Sequence, residues 1–89
     1  MKTLVVSTDG KLMVTRPIWE AAKQYFDFDH VEVTREHGLE VYFNEADFSG
    51  YDRVIADTNL RRLGKRYSCL KRAPGLVIFD HDVFQNNVP

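Results

Sequence analysis

Three short and almost uninterrupted apolar runs constrain the fold of this chain more than any other feature. They are "LVV" at 4–6, "VIA" at 54–56 and "LVIF" at 76–79. Strands with one face in water alternate apolar and polar residues, whereas continuous runs are typical of strands covered on both faces. Such strands form parallel sheets, whose neighbours are joined by crossover connections that are usually helices. The runs therefore predict an α/β fold.

Two other segments have the periodicity of helices. "RPIWEAAKQYF" at 16–26 begins with a proline suited to a first helical turn, and its apolar residues recur at helical spacing. These apolar residues are Ile18, Ala21, Ala22, Tyr25 and Phe26. A second helix is predicted to follow the run at 54–56. Its apolar stripe consists of Leu60, Leu63, Tyr67 and Leu70.

The segment between these helices contains further strand signals. "HVEVT" at 30–34 alternates apolar and polar residues and predicts a second strand. Leu39, Val41 and Phe43 also alternate, as they would in a strand. Phe48 and Tyr51 fit either a short helix or a packed loop.

The order of these elements predicts a Rossmann-like half-domain. A strand, helix, strand, strand, helix, strand succession with right-handed crossovers gives a mainly parallel sheet of about four strands, with helices on both faces. Eighty-nine residues form one small domain at most. Too few residues follow Phe84 for a helix that would cover the last strand. We therefore expect a single domain, 1–89, that is the N-terminal part of a larger two-domain protein.

Composition narrows the class of protein. A formal net charge of -1 gives no whole-chain basis for binding nucleic acid. Cys69 is the only cysteine, so no internal disulfide can form, as in proteins of a reducing compartment. The sequence contains no secretory signal and no apolar stretch long enough to span a bilayer. It predicts a cytoplasmic protein without a cofactor.

The histidines before the last strand do not indicate a metal centre. His30 lies at the start of a predicted strand and His37 in a predicted turn, and no metal-ligand spacing joins them. Both are interpreted as surface residues, and no metal site is predicted.

Polar residues collect where the predicted strands end. In open parallel sheets, ligands bind beyond the carboxyl ends of the strands. Three segments meet there: "STDGK" after the first strand, "DTNLRR" after the third and "DHDVFQNN" after the fourth. The candidate site residues in them are Gly10, Lys11, Asn59, Arg61, Asp80, His81, Asp82 and Asn86.

Each segment also has a purely structural interpretation. "STDGK" carries no nucleotide-binding glycine motif and fits a plain Asp-Gly turn. Asp57 or Thr58 can cap the helix that follows. Asp80 and Asp82 lie on one side of an extended chain, with His81 on the other. These three side chains could supply a base, an acceptor for hydroxyl groups or a cation site, or the acids could simply be solvated.

The predicted second helix is strongly basic. It carries six of the twelve positive residues of the chain, namely Arg61, Arg62, Lys65, Arg66, Lys71 and Arg72. Most of them fall opposite the apolar stripe, so they form either a solvated outer face or a peripheral contact with anionic lipid. In such a contact each basic residue adds about 1 kcal/mol. The exposed edge of the last strand also offers a surface through which two copies could pair.

Three of the quoted segments resemble one enzyme family. "GLVIFDHDVFQNNVP" is similar to the apolar strand followed by His-Asp in the N-terminal domain of retaining glycosyltransferases of the two-Rossmann GT-B architecture, the family-4-like group. "MKTLVVSTDGK" resembles the opening strand and glycine loop of that domain, and "YDRVIADTNLRRLGKRY" its strand-to-helix segment before the His-Asp strand. The resemblance spans nearly all of the chain in order, through short motifs.

The resemblance implies that this chain is the acceptor side of such an enzyme. In that family the N-terminal domain holds the glycan or lipid-linked acceptor, and the C-terminal domain holds the nucleotide-sugar. Gly10 would then face the cleft, with His81 near the transferred sugar and Asp82 beside it. Asp80 is less typical of the family, and the glycine loop has one glycine where the family often has two. The donor-binding Glu-x(7)-Glu segment is absent, so the chain alone is expected to be inactive.

Two other interpretations rest on parts of the pattern. "YDRVIADTNL" resembles the receiver strand that ends in a phospho-accepting aspartate, here Asp57, although Ser7 and Thr8 replace the expected acids after the first strand. "LVIFDHDVF" resembles the Asp-x-Asp motif of haloacid-dehalogenase phosphatases and the metal motif of GT-A glycosyltransferases. In the second case Asp80 and Asp82 would bind Mg²⁺ or Mn²⁺.

Overall fold

The computed structural model describes residues 1–8, 12–58 and 64–79. The strands are β1 (Thr3–Thr8), β2 (Asp29–Val33), β3 (Arg53–Asp57) and β4 (Val77–Phe79). The helices are α1 (Leu12–Ala22), α2 (Arg35–Glu45) and a 3-10 helix, η1 (Gly64–Arg72). None of the helices in these ranges is long and apolar enough to cross a membrane.

The four strands form one parallel sheet in the order β2-β1-β3-β4. β2 lies on one side of β1, whereas β3 and β4 lie on the other side. The connection from β1 to β2 therefore crosses the sheet in the opposite direction to the connections from β2 to β3 and from β3 to β4. Right-handed crossovers therefore place α1 on one face of the sheet and both α2 and η1 on the other. We call these the α1 face and the α2 face. The predicted α/β fold with a parallel sheet and helices on both faces is confirmed.

The main core lies on the α2 face. Leu4 and Val6 of β1 and Val54 of β3 pack there with side chains of both covering helices, and all are essentially buried. The covering side chains are Leu39, Phe43, Cys69 and Leu70. Since alternate residues of a strand point to opposite faces, Val5, Ser7 and Asp57 belong to the α1 face.

The strand suggested by the alternation of Leu39, Val41 and Phe43 is wrong, because these residues lie in α2. Leu39 and Phe43 are fully buried, whereas Val41 between them is 53% exposed. Two buried residues four positions apart indicate one face of a helix, and the exposed third residue mimicked a period of two. A helix also suits the connection, since β2 and β3 are parallel and lie on either side of β1.

The first helix is also displaced from its prediction. It begins at Leu12, so Pro17 lies inside the helix and not in its first turn. Ile18 is 45% exposed, and Tyr25 and Phe26 lie beyond the helix end with 79% and 70% exposure. Trp19 is buried in their place. The apolar stripe read from the sequence is therefore largely on the surface.

The last strand is an edge strand, which changes its predicted burial. β4 pairs with β3 through Val77, Ile78 and Phe79. Val77 is 43% exposed and the other two are partly buried. The prediction that this run is covered on both faces is therefore wrong. The described chain places no helix of the α1 face over this strand.

The basic segment contributes to the fold through its last residue. The Arg72 guanidinium of η1 donates a hydrogen bond of 3.0 Å to the carbonyl of Phe43 and another to the carbonyl of Asn44. These carbonyls lie in the last turn of α2, where the helix dipole favours a cation. Lys71 is exposed. Arg61, Arg62 and the side chains of Lys65 and Arg66 lie outside what the structure describes.

Candidate functional site

Three strands end side by side at the carboxyl edge of the sheet. Ser7 of β1 is opposite Asp57 of β3, which is opposite Phe79 of β4. The backbone N–H of Thr58 donates to the Phe79 carbonyl at 3.1 Å, which continues this pairing past the end of β3. The helix that follows β1 and the helix that follows β3 lie on opposite faces, an arrangement that in doubly wound sheets creates a crevice between the two strands. Ligands of doubly wound sheets bind at such a point.

The predicted site residues follow directly from these strand ends. Gly10, Lys11, Asn59, Arg61, Asp80, His81, Asp82 and Asn86 all lie outside the described residues. The segments that carry them leave from Thr8, Thr58 and Phe79 at one edge of the sheet. Their assignment as site residues stays a prediction.

A buried carboxylate lies directly below this edge. Asp57 is fully buried, and its Oδ2 accepts hydrogen bonds from Trp19 Nε1 at 2.7 Å and from Ser7 Oγ at 3.0 Å. Its Oδ1 has no hydrogen-bond partner within the described part of the chain. A buried carboxylate is costly unless it is hydrogen-bonded, so these two donors lower the cost of burying Asp57.

The hydrogen bonds continue from Ser7 to His30. Ser7 Oγ is 2.8 Å from His30 Nε2. Because the serine has one proton, which it donates to Asp57, it accepts its second hydrogen bond from His30 Nε2–H. This assigns the Nε2–H tautomer to the neutral imidazole. We call Ser7, Trp19, His30 and Asp57 the polar cluster.

The imidazole of His30 is held largely neutral. Burial lowers the pKa of His30 below its ordinary value of 6.5, partly opposed by the carboxylate of Glu32 and reinforced by the ammonium of Lys23. The Trp19 and Phe28 rings lie near the imidazole, with centroids 6.2 and 6.4 Å away. A neutral histidine is therefore the donor to Ser7 near pH 7.

The polar cluster is not a nucleophilic triad. In such a triad a histidine stands between the nucleophile and the carboxylate, whereas here Ser7 stands between His30 and Asp57. Ser7 is also fully buried, so no substrate carbonyl can reach its oxygen. Within the described residues, no group of three His, Cys, Asp or Glu side chains could hold a metal ion. The cluster joins the carboxyl ends of β1 and β3 to the start of β2 and to α1.

The receiver interpretation depends on Asp57, which belongs to the polar cluster. Asp57 does end β3, as that interpretation requires. Its carboxylate is enclosed, however, and one oxygen accepts two hydrogen bonds. A phospho-accepting carboxylate must face solvent and a bound cation, so a phosphodonor could react only after the cluster opens.

Two members of the polar cluster were missed from the sequence. His30 is half-buried and hydrogen-bonded, so its interpretation as a plain surface residue is wrong; His37 lies in α2 and not in a turn. Trp19 has no role among the predictions made from the sequence. A buried tryptophan usually finds an acceptor for its N–H, and Asp57 at a buried strand end was the available one.

Comparison with known protein families, with curated proteins and with solved structures finds no match to this chain.

Proposed function

We propose that the chain is the acceptor-side part of a glycosyltransferase that moves a sugar from a nucleotide-sugar donor to a glycan or a lipid-linked acceptor. The observation that carries the proposal is the parallel exit of β1, β3 and β4 at one edge of the sheet, at the crevice between β1 and β3. Three polar segments begin at that edge. Sugar substrates need many hydrogen-bond partners that converge from separate segments, and this edge supplies the segments.

The proposed roles follow from the chemistry of each side chain. His81 and Asp82 orient the reacting sugar hydroxyls, because imidazole and carboxylate groups accept hydrogen bonds from hydroxyls. Gly10 lets the donor phosphates approach the backbone, and Lys11 offers them a positive charge. The remaining candidates shape the acceptor edge through polar and charged groups. They are Asn59, Arg61, Asp80 and Asn86.

The polar cluster supports this proposal as a rigid base. Asp57 and Ser7 are fully buried and joined to Trp19 and His30 by hydrogen bonds of 2.7 to 3.0 Å. A site that orients hydroxyls needs its supporting residues held by packing and hydrogen bonds, because small displacements reduce the rate strongly. The cluster meets this need immediately below the strand ends.

The test is transfer of labelled sugar by the longer two-domain protein that the proposal expects to contain this chain, because the chain alone is expected to be inactive. Nucleotide-sugars with uridine, guanosine and adenosine are supplied one at a time, with a lipid extract and a polysaccharide extract as acceptors. We expect transfer from one donor, reduced by about 100-fold or more in the His81→Ala variant, as is usual when a positioned acid–base group is removed. Asp82→Asn should also reduce transfer.

The matched control is Asp27→Asn, which makes the same change at the opposite edge of the sheet, where Asp27 is exposed. It should leave transfer unchanged. Full activity in His81→Ala, or absence of transfer from every donor, would contradict the proposal. Mg²⁺-dependent labelling of Asp57 by a small phosphodonor would replace it with the receiver function.

A further inference from the structure

The α1 face carries an apolar groove near the amino ends of the strands. Val5 and Ile55 line it from the sheet, and Trp19, Phe26 and Phe28 line it from α1 and the loop that follows. Its volume is about 440 Å³. The groove lies at the opposite end of the strands from the carboxyl edge, so it is separate from the site proposed above.

Large apolar side chains border the groove and stand in solvent. Tyr25 is 79% exposed, Phe26 is 70% exposed and Met1 is 84% exposed, and all three line it. Single exposed apolar residues are ordinary on protein surfaces. Several around one apolar depression mark an interaction surface. This face therefore carries both an apolar groove and the exposed aromatic side chains that could enter the same groove on a second copy of the chain.

Two opposite charges flank the same groove. Asp27 and Arg53 both line it, and both are exposed. Within the described ranges neither side chain has an ion pair or a side-chain hydrogen bond. If two copies pair across a two-fold axis, the acid of each copy can face the base of the other.

Extension of the sheet does not cover this groove. The connections from β2 to β3 and from β3 to β4, which lead towards β4, run over the α2 face. A further parallel strand beyond β4 would be reached by the same right-handed connection, again on the α2 face. A connection of this kind would leave the groove on the α1 face open.

We propose that a second copy of this chain covers the groove in a two-fold symmetric dimer. In a two-fold interface residue i of one copy meets residue j of the other, and j meets i. Tyr25 and Phe26 of each copy enter the groove of the other, and Asp27 of each copy faces Arg53 of the other. This dimer leaves the carboxyl edge of both sheets open, and it does not depend on the sugar-transfer proposal.

The first test is the oligomeric state of the 89-residue chain by sedimentation equilibrium over a range of concentrations. We expect a reversible dimer whose dissociation constant rises by at least about tenfold in Phe26→Glu, because a charge then enters the apolar centre. The matched control is Val41→Glu on the other face, where Val41 is 53% exposed. It should leave the dissociation constant unchanged.

The second test separates this pairing from other dimers. Asp27→Arg and Arg53→Asp are each expected to weaken the dimer, because each places like charges opposite one another. The two variant chains, when mixed, should form a heterodimer with about wild-type affinity, because every charged pair is then restored. Circular dichroism confirms that each variant is folded.

A monomer at all concentrations would overturn the proposal. It would also be overturned by a dimer that is indifferent to Phe26→Glu and to both charge reversals, since that result would assign the contact to the edge of β4 or to another surface. Failure of the two charge variants to pair on mixing would exclude the two-fold arrangement.

Discussion

Asp57 and Trp19 show how one buried charge is accommodated in a small domain. The Trp19 indole donates to Asp57 Oδ2 at 2.7 Å, and its ring packs edge-on against Phe79 with centroids 5.3 Å apart. Trp19→Phe would keep an aromatic ring but leave the carboxylate with Ser7 as its one described donor. We expect the free energy of unfolding to fall by about 2 kcal/mol, the usual cost of losing a hydrogen bond to a buried charge.

Urea unfolding followed by circular dichroism measures this loss. The control is Tyr42→Phe, which also removes a polar group from an aromatic side chain but breaks no hydrogen bond among the described residues. Its effect should stay within about 0.5 kcal/mol. Equal effects of the two substitutions would show that the indole donor does not stabilise Asp57.

His30 gives the protein a defined pH dependence. Burial lowers its pKa in the folded state below 6.5, so the unfolded chain binds a proton more readily than the folded one. The free energy of unfolding is therefore expected to decrease as the pH falls through 6.5 towards the folded-state pKa. His30→Gln should reduce that slope, which urea unfolding at about pH 7.5 and about pH 5.5 would reveal.

The neighbours of His30 give opposite tests of the same pKa. Nuclear magnetic resonance titration should show a lower pKa in Glu32→Gln, because a carboxylate that favours the imidazolium is lost. Lys23→Met should raise the pKa, because a repelling ammonium is lost. A shift of the same sign in both variants would contradict this account.

At the scale of elements, one glycine sets the entry into the last strand. Gly75 has a φ of 52°, and a Cβ built on it would lie 2.7 Å from the backbone carbonyl oxygen of Asp52. Gly75→Ala is expected to lower the free energy of unfolding by about 1–3 kcal/mol, because neither the backbone angle nor the contact can relax cheaply.

Gly50 is the matched control for this prediction. A Cβ built there meets no atom within 4 Å. Gly50→Ala should be neutral, or stabilising by up to about 1 kcal/mol through the unfolded chain. Urea unfolding of both variants decides the matter, and a loss as large in Gly50→Ala as in Gly75→Ala would refute the role given to Gly75.

The elements also show which sequence signals can be trusted in this chain. The continuous runs at 4–6 and 54–56 predicted strands covered on both faces, and all of their side chains except that of Ile55 are buried. Leu39 and Phe43 did not reveal their helix, because Val41 between them added a false period of two. Short apolar patterns are ambiguous wherever one member lies on the surface.

At the scale of the whole molecule, the fold was more predictable than the site. Parallel strands with right-handed connections leave few arrangements, so the carboxyl edge could be located from the strand order alone. The polar cluster could not be located in this way, because the hydrogen bond between Ser7 and His30 joins side chains of two separate strands. The groove was not predictable either, because the spacing of Tyr25 and Phe26 places them among the apolar residues of a helix, whereas both lie beyond the end of α1.

The position of the only tryptophan has a practical consequence. Its indole N–H touches the carboxylate beneath the crevice, and its ring lines the groove at the far end of the strands. Its fluorescence therefore reports from both proposed surfaces without an added dye. Occupancy of the crevice would act on the emission through the charge at Asp57, and closure of the groove would act on it by removing water from the ring.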